Sequence, residues 1–464
     1  PRRRNHPLLP RRPPPPLPDM VADTPDVSTA RTTQLGLTIL AALLSIGAYV
    51  LVTLGTTGKT PPGVGGFVAA VATTYLLAHL VVVRFAPGAD PIFLPGAAVL
   101  AGLGYAVIYG INPDLAATQF GWLMLGLVLF ALTLILIRDH RSLDAYTYTI
   151  GLAGIILLLL PIAPGLGRTI NGARLWIRLG PLNFQPAEVG KVLIVIFLAS
   201  YLGARKELLA LATRRIGPFR FPEPKYFGPL LVAWGLSLAI LFLEKDLGSS
   251  LLFFGIFVVM LWTATARATY LALGMVMFVA GALIGYAAFG HVQSRVEVWL
   301  HALDPKLVQD EGFQLAQSEF ALATGGLSGT GLGKGHPELI SPGPGHEFAA
   351  TDFIFAVVGE ELGLFGSSAV LLLYVLLVGR GFRTAMRRED AFGKLLAAGL
   401  STALAFQTFI IVGGVTRLIP LTGITLPFVS YGGSSLVANF VLLALLVRVS
   451  SAEGPRHAPR RVGR

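Results

Sequence analysis

Apolar residues run along this chain in long blocks rather than in the narrow stripes of a soluble helix. Blocks of spanning length, about 17–25 residues each, lie near 34–54, 66–85, 93–111, 120–137, 147–165, 188–204, 228–243, 248–265, 268–289, 353–379, 395–416 and 433–449. They predict an all-α polytopic membrane protein, a bundle of about twelve transmembrane helices. The Gly-rich block at 93–111 and the closely spaced pair at 228–265 are the least regular, and no internal repeat is visible. Two polar connections stand out. One runs from about Pro164 to Pro186, and the other, over 290–351, is the longest loop between spans. The second is rich in Gly and Pro but holds a mildly amphipathic stretch, Phe313 to Thr324. Loops of this length are functional or unstructured, and the charges in this one favour function.

Composition agrees with a lipid-facing chain. Hydrophobic residues make up 54% and charged residues 13%, with a mean hydropathy of +0.69. A soluble domain carries roughly a quarter charged residues. Cysteine is absent, which excludes disulfides and cysteinyl metal sites. The ends, 1–33 and 451–464, are basic, and the first is Pro-rich. The first reads as a disordered cytoplasmic tail and the second as a basic cytoplasmic tail. Residue 1 is not Met, and Met20 is a candidate start.

The net charge of +11 marks loops on one side of the bilayer, not nucleic-acid binding. With the N-terminal arginines in the cytoplasm, Arg138, Arg141, Arg205, Lys206, Arg214, Arg215, Arg220, Lys225, Arg267, Arg380, Arg383, Arg387, Arg388 and Arg448 all fall inside. An even span count also returns the C-terminus to the cytoplasm. Arg168, Arg174 and Arg178 fall outside, which invites a functional reason.

Five constellations carry chemistry. The first outer loop reads Asn171-Gly-Ala-Arg-Leu-Trp-Ile and leads to Phe184-Gln-Pro-Ala-Glu-Val-Gly-Lys191. Pro186 suits a first helical turn. Glu188 and Lys191 then share a face at the end of a span, either as an ion pair locking two helices or as part of a cleft for an anion with Arg174. The turn Leu243-Glu-Lys-Asp-Leu-Gly248 reads as solvated, with Asp246 as a helix cap. The long loop offers His301, Asp304, Asp310 and Glu311, then a Gly-rich run to Gly335 that lacks P-loop spacing. Asp352 opens a span ahead of Glu360 and Glu361, whose depth points them toward a bundle interior or aqueous cavity. Before the last span, Pro427-Phe-Val-Ser-Tyr-Gly-Gly-Ser-Ser435 breaks the helix, as a cavity lining does.

Together these motifs resemble the SEDS family (shape, elongation, division and sporulation), whose members include RodA and FtsW. The matching pieces are Asn171–Trp176, Gln185–Lys191, Asp246–Gly248, Thr351–Gly363 and Pro427–Ser435, in family order. The stretch from Gly413 to Ser435 is most similar to the RodA branch of actinobacteria. The resemblance implies a SEDS-like core over 147–450 and about two extra spans within 34–146. It implies a peptidoglycan glycosyltransferase that polymerises lipid II on the outer face of the bacterial cytoplasmic membrane, beside a penicillin-binding-protein transpeptidase. The family's essential aspartate matches Asp304, which keeps the following Pro305, with Asp310 as runner-up because the loop's spacing departs from the family's. The family often carries His before Thr-Asp-Phe, whereas Ala350 stands here.

The resulting expectation is an inverting transfer with Asp304 as general base. Arg174, Glu188, Lys191, Asp352, Ser430 and Ser434 are the candidate substrate-binding residues. Basic side chains, or a divalent cation such as Mg2+, would neutralise the leaving diphosphate. The rivals are an FtsW-like division enzyme, a flippase for a lipid-linked precursor, and a non-catalytic scaffold for a transpeptidase.

Overall fold

The computed structural model describes residues 27–61, 63–170, 173–179, 182–210, 214–216, 219–221, 228–342 and 345–451. Asn171, Lys225, most of the expected first tail, and all of the C-terminal tail but Ser451 lie outside the described residues. Long helices dominate: α1 (Val27–Thr57), α2 (Val64–Phe85), α3 (Phe93–Ile111), α4 (Pro113–Leu136), α5 (Thr147–Leu159), α6 (Pro186–Ala210), α7 (Gly228–Glu244), α8 (Leu247–Thr265) and α9 (Ala268–Ala288). Four shorter helices follow, α10 (Gly290–His301), α11 (Phe313–Gly325), α12 (Pro337–Ile340) and α13 (Glu347–Ala350). The chain closes with α14 (Ile354–Arg387), α15 (Ala391–Val415) and α16 (Gly433–Ser450). Among the described residues, 11 helices are long and apolar enough to cross a membrane. α7, with 17 residues, reaches roughly 25 Å at the helical rise and accounts for the twelfth expected span.

α1 begins at Val27, earlier than the expected 34. A helix nucleated in an apolar run propagates into its polar flank at little further cost, and residues 28, 29 and 31–33 of that added part are exposed. Starts and stops are chemical. Asn112 Oδ1 accepts the Asp114 amide at 2.9 Å ahead of α4, with Pro113 in the first turn. Asp390 Oδ2 caps α15 through the Gly393 amide at 2.7 Å. Gly363, at φ 66°, kinks α14.

α15 and α16 are mostly enclosed, whereas α1, α2, α4, α9 and α14 turn apolar side chains outward. Leu43, Met275, Val276, Leu283, Leu372 and Val375 are all exposed. That much outward apolar surface is stable against lipid rather than water.

Alternate connections meet at one face of the bundle. Here Arg295 Nη1 donates to the Leu421 carbonyl at 2.9 Å, and Trp299 Nε1 donates to the Arg417 carbonyl at 2.9 Å. The Asn112 amide reaches the Gly345 carbonyl at 3.4 Å. The other connections meet at the opposite, basic face. There Arg448 Nη1 donates to the Phe85 carbonyl at 2.7 Å, Arg380 Nε pairs with Asp90 Oδ2 at 2.7 Å, and His140 Nε2 lies 3.1 Å from Asp390 Oδ2.

The fold is not purely helical. The connection expected to be irregular between α5 and α6 forms an antiparallel sheet of β1 (Gly167–Ile170), β2 (Ala173–Leu179) and β3 (Leu182–Phe184), in that order. Strand β2 alternates Arg174, Trp176 and Arg178 with Leu175 and Ile177, the period of a half-buried strand. A second hairpin, β4 (Arg214–Ile216) with β5 (Phe219–Phe221), joins α6 to α7.

Candidate active site

At the first turns of α6 the sequence places Glu188 and Lys191 on one face, and the fold closes around them. Lys191 is 1% exposed. Its Nζ donates to Glu188 Oε2 at 2.8 Å and to Gln407 Oε1 of α15 at 2.5 Å. Gln407 is fully buried and donates through Nε2 to the Thr425 carbonyl at 3.0 Å and to Ser435 Oγ at 3.3 Å. Ser434 Oγ accepts the Gln185 amide at 2.9 Å, which pins the start of α6 to α16. An ammonium has three protons to donate. Among the described residues, two of them go to Glu188 and Gln407.

Beside this network lies a set of carboxylates around Arg295. The α7–α8 turn is not the solvated one expected. Lys245 is exposed, but Glu244 and Asp246 are buried. Asp246 Oδ1 caps α8 by accepting the Ser249 amide at 2.9 Å. Burial pushes its carboxyl up, opposed by Ser249 and Arg295 and reinforced by the charge of Glu188. Among the described residues, neither Glu244 oxygen has a hydrogen-bond partner. Asp352, just before α14, is enclosed enough that burial raises its carboxyl to about 6 against the pull of Arg295. Arg295 therefore lies within electrostatic reach of both Asp246 and Asp352.

The remaining candidates sit at the same face in different settings. Asp304 and Asp310 are exposed, in the turn between α10 and α11. Asp304 Oδ1 accepts the Lys306 amide at 3.0 Å. Arg174 is partly buried, and its Nη2 donates to the Ala163 carbonyl at 3.2 Å. Ser430 is buried and ties two loops together: its Oγ accepts the Leu426 amide at 2.8 Å and donates to the Thr351 carbonyl at 2.7 Å.

The Gly-rich run does not present a row of free amides. Thr330 and Gly331 donate theirs to the Glu360 and Glu361 carbonyls at 2.9 Å, and His336 donates to Glu360 Oε2 at 3.1 Å. A Cβ at Gly329 would lie 2.1 Å from the Glu361 carbonyl oxygen, so only glycine allows this approach. Sequence reasoning missed Gln407, Glu244 and Arg295. An amide deep in a span is itself a signal, but nothing in the sequence names its partner.

Residues 104–454 match the model of the FtsW, RodA and SpoVE family, described as cell cycle protein. Helices α1 and α2 precede that segment. The chain is 43% identical over 444 residues to the peptidoglycan glycosyltransferase RodA of Mycobacterium tuberculosis, covering 93% of this chain and 92% of the relative. The Mycobacterium leprae RodA is 43% identical over 448 residues, 94% of each. A probable peptidoglycan glycosyltransferase FtsW of Geobacter metallireducens is 34% identical over 372 residues, 78% of this chain and 94% of that one. Among solved structures, a chain from a peptidoglycan synthase complex that coordinates polymerization and crosslinking superposes with a TM-score of 0.62 at 28% identity, covering 78% of this chain and 97% of that one. Thermus thermophilus RodA gives a TM-score of 0.55 at 28% identity, over 78% and 96%.

Proposed function

This chain belongs to the SEDS family of FtsW, RodA and SpoVE, and on that premise we propose that it polymerises lipid II into glycan strands during cell elongation. It is a multi-pass bacterial membrane protein and a peptidoglycan glycosyltransferase of the RodA type. Identity is 43% to mycobacterial RodA and 34% to an FtsW relative, which favours elongation over division. The observation that carries the reading is the buried Glu188–Lys191–Gln407 network, set at the same face as the carboxylates of the long loop.

Lipid II carries an α-linked diphosphate and the glycan is β-linked, so the sugar carbon inverts. Asp304, exposed in the turn between α10 and α11, takes the proton of the attacking sugar hydroxyl as its oxygen closes on the anomeric carbon. The bond to the diphosphate breaks on the opposite side, and the pair of electrons leaves with the phosphate. Lys191 and Arg174 stabilise that charge. Glu188 and Gln407 fix Lys191. Ser434 fixes the start of α6, Ser430 holds the Thr351 carbonyl ahead of Asp352, and Asp352 engages the sugar. Asp310 is the alternative base.

Among the described residues no three His, Asp or Glu side chains are grouped to hold a metal ion. A divalent cation such as Mg2+ would then arrive on the substrate's diphosphate, as that ion commonly does, and no step here passes through it. The basic face is proposed to be cytoplasmic with both termini, which sets the site on the extracytoplasmic side. A penicillin-binding-protein transpeptidase is the proposed partner, in keeping with the synthase complex of the related structure.

The test is polymerisation by the purified chain supplied with lipid II already accessible to the loop face. Glycan strands are expected. A flippase or a scaffold would leave lipid II monomeric.

A further inference from the structure

The break in α14 at Gly363 is filled by the Gly-rich loop. In an unbroken helix the amides of Leu364 and Phe365 would donate to the carbonyls of Glu360 and Glu361, four residues back. Here the Leu364 amide donates to the Gly326 carbonyl at 2.9 Å, and the Phe365 amide donates to the Leu327 carbonyl at 3.1 Å. The two carbonyls set free accept the Thr330 and Gly331 amides, each at 2.9 Å. Two bonds within the helix are exchanged for four between helix and loop. The two sets exclude each other. With the loop withdrawn, α14 regains its own pair only by closing the break, because backbone groups left unpaired at membrane depth cost several kcal/mol each.

The loop is held from its other side by α1, a helix that precedes the family-matched residues 104–454. The approach is backbone against backbone. A Cβ at Gly55 would lie 2.1 Å from the Leu332 carbonyl oxygen, and one at Gly333 would lie 2.3 Å from the Val52 carbonyl oxygen. The Leu332 side chain packs against the cluster of Tyr49, Val52 and Ala106. Tyr49 in turn stacks on Phe67 of α2, with ring centroids 4.0 Å apart. The α1–α2 hairpin is itself anchored to the bundle: Tyr75 Oη donates to the Ala98 carbonyl of α3 at 2.8 Å and lies 3.2 Å from Ser45 Oγ of α1.

Beyond the break lies the candidate site. Every residue from Ile354 to Glu361 is buried, so this half of α14 shifts as one packed body. Asp352 stands two residues before it. A segment inserted into a helix ladder fixes the angle between the two halves. We propose that the α1–α2 hairpin is a clamp on the transferase site, with Gly55 and Leu332 as positioning residues. They seat the Gly-rich loop in the α14 break, and the filled break sets where Asp352 stands. The inference rests on the glycosyltransferase reading.

The experiment uses the purified full chain and takes two measurements on each variant: amide hydrogen exchange at 330, 331, 364 and 365, and KM and kcat for lipid II. Leu332→Ala empties the seat, and Gly55→Ala drives the loop carbonyl away. Leu332→Met refills the seat with a side chain of similar volume. Gly36→Ala is the control, on the same helix where a Cβ meets nothing within 4 Å. Leu332→Ala and Gly55→Ala are expected to speed exchange at those amides and to raise KM about tenfold. Their kcat should be nearly unchanged, the mark of lost binding rather than lost chemistry. Leu332→Met and Gly36→Ala should match the unaltered chain in both measurements. If Gly55→Ala does not fold, Leu332→Ala, at a half-buried position, decides alone. Unchanged exchange in Leu332→Ala would overturn the clamp. Fast exchange with an unchanged KM would overturn the positioning role. No polymer from the unaltered chain would overturn the glycosyltransferase reading itself, and exchange would still decide for or against the clamp.

Discussion

Lys191 Nζ lies 2.5 Å from Gln407 Oε1, a side chain 216 residues further along the chain. The contact couples α6 to α15, and through Thr425 and Ser435 it reaches the loop before α16 and α16 itself. The cation is buried, so its two partners determine both its placement and its cost.

Glu188→Ala leaves Lys191 buried without its counter-charge. Breaking one side of a buried pair destabilises by about 3–5 kcal/mol, which thermal unfolding in detergent should register as a large drop in Tm. The double change Glu188→Leu with Lys191→Leu removes both charges. It should recover most of that stability while glycan synthesis stays lost, separating structural from functional roles.

The Gly-rich loop should respond very differently from a helical glycine. Gly329 has φ 80°, and a Cβ there meets the Glu361 carbonyl, whereas a Cβ at Gly36 in α1 meets nothing within 4 Å. Gly329→Ala is expected to destabilise by more than about 1 kcal/mol and to expose residues 326–335 to limited proteolysis. Gly36→Ala should be neutral or slightly stabilising.

Asp352 gives the reaction a pH signature. Its carboxyl is raised to about 6, so it is ionised at pH 7.5 and takes up a proton as pH falls through that value. Loss of the charge should raise KM for lipid II below about pH 6. Asp352→Asn should show a high KM that does not inflect there. A steady-state pH profile on both proteins checks this.

Absence of cysteine makes sidedness directly measurable. Leu303→Cys, in the exposed turn of the long loop, should react with a membrane-impermeant maleimide added to intact cells. Glu389→Cys, at the basic face, should react only after lysis. The reverse pattern would invert the proposed topology.

The spans were legible because a bilayer demands about 20 apolar residues per crossing, and little else in a chain looks like that. Their ends were less so: α1 runs into the polar Ser28–Thr33 segment, where propagation rather than hydropathy sets the boundary. The sheet in the first loop was present as the alternation of Arg174, Trp176 and Arg178, but strands of three to seven residues give a weak signal beside twelve long apolar blocks. The Glu188–Lys191 pair was readable from helical spacing. Gln407 was not, since its contact depends on how α6 meets α15. The Glu244–Asp246 turn looked solvated because a run of charges between spans normally is, and only the packing of neighbouring loops over it buries it. Asp304 and Asp310 could be told apart only by resemblance, since both are exposed in the same turn.

The most direct test of the proposed chemistry is the rate of lipid II polymerisation by purified Asp304→Asn, measured beside Asp310→Asn and the unaltered chain, with unfolding temperatures matched. Loss of a general base lowers the rate about a hundredfold or more. The account predicts that fall for Asp304→Asn, with near-normal activity in Asp310→Asn. Full activity in a folded Asp304→Asn protein would contradict it.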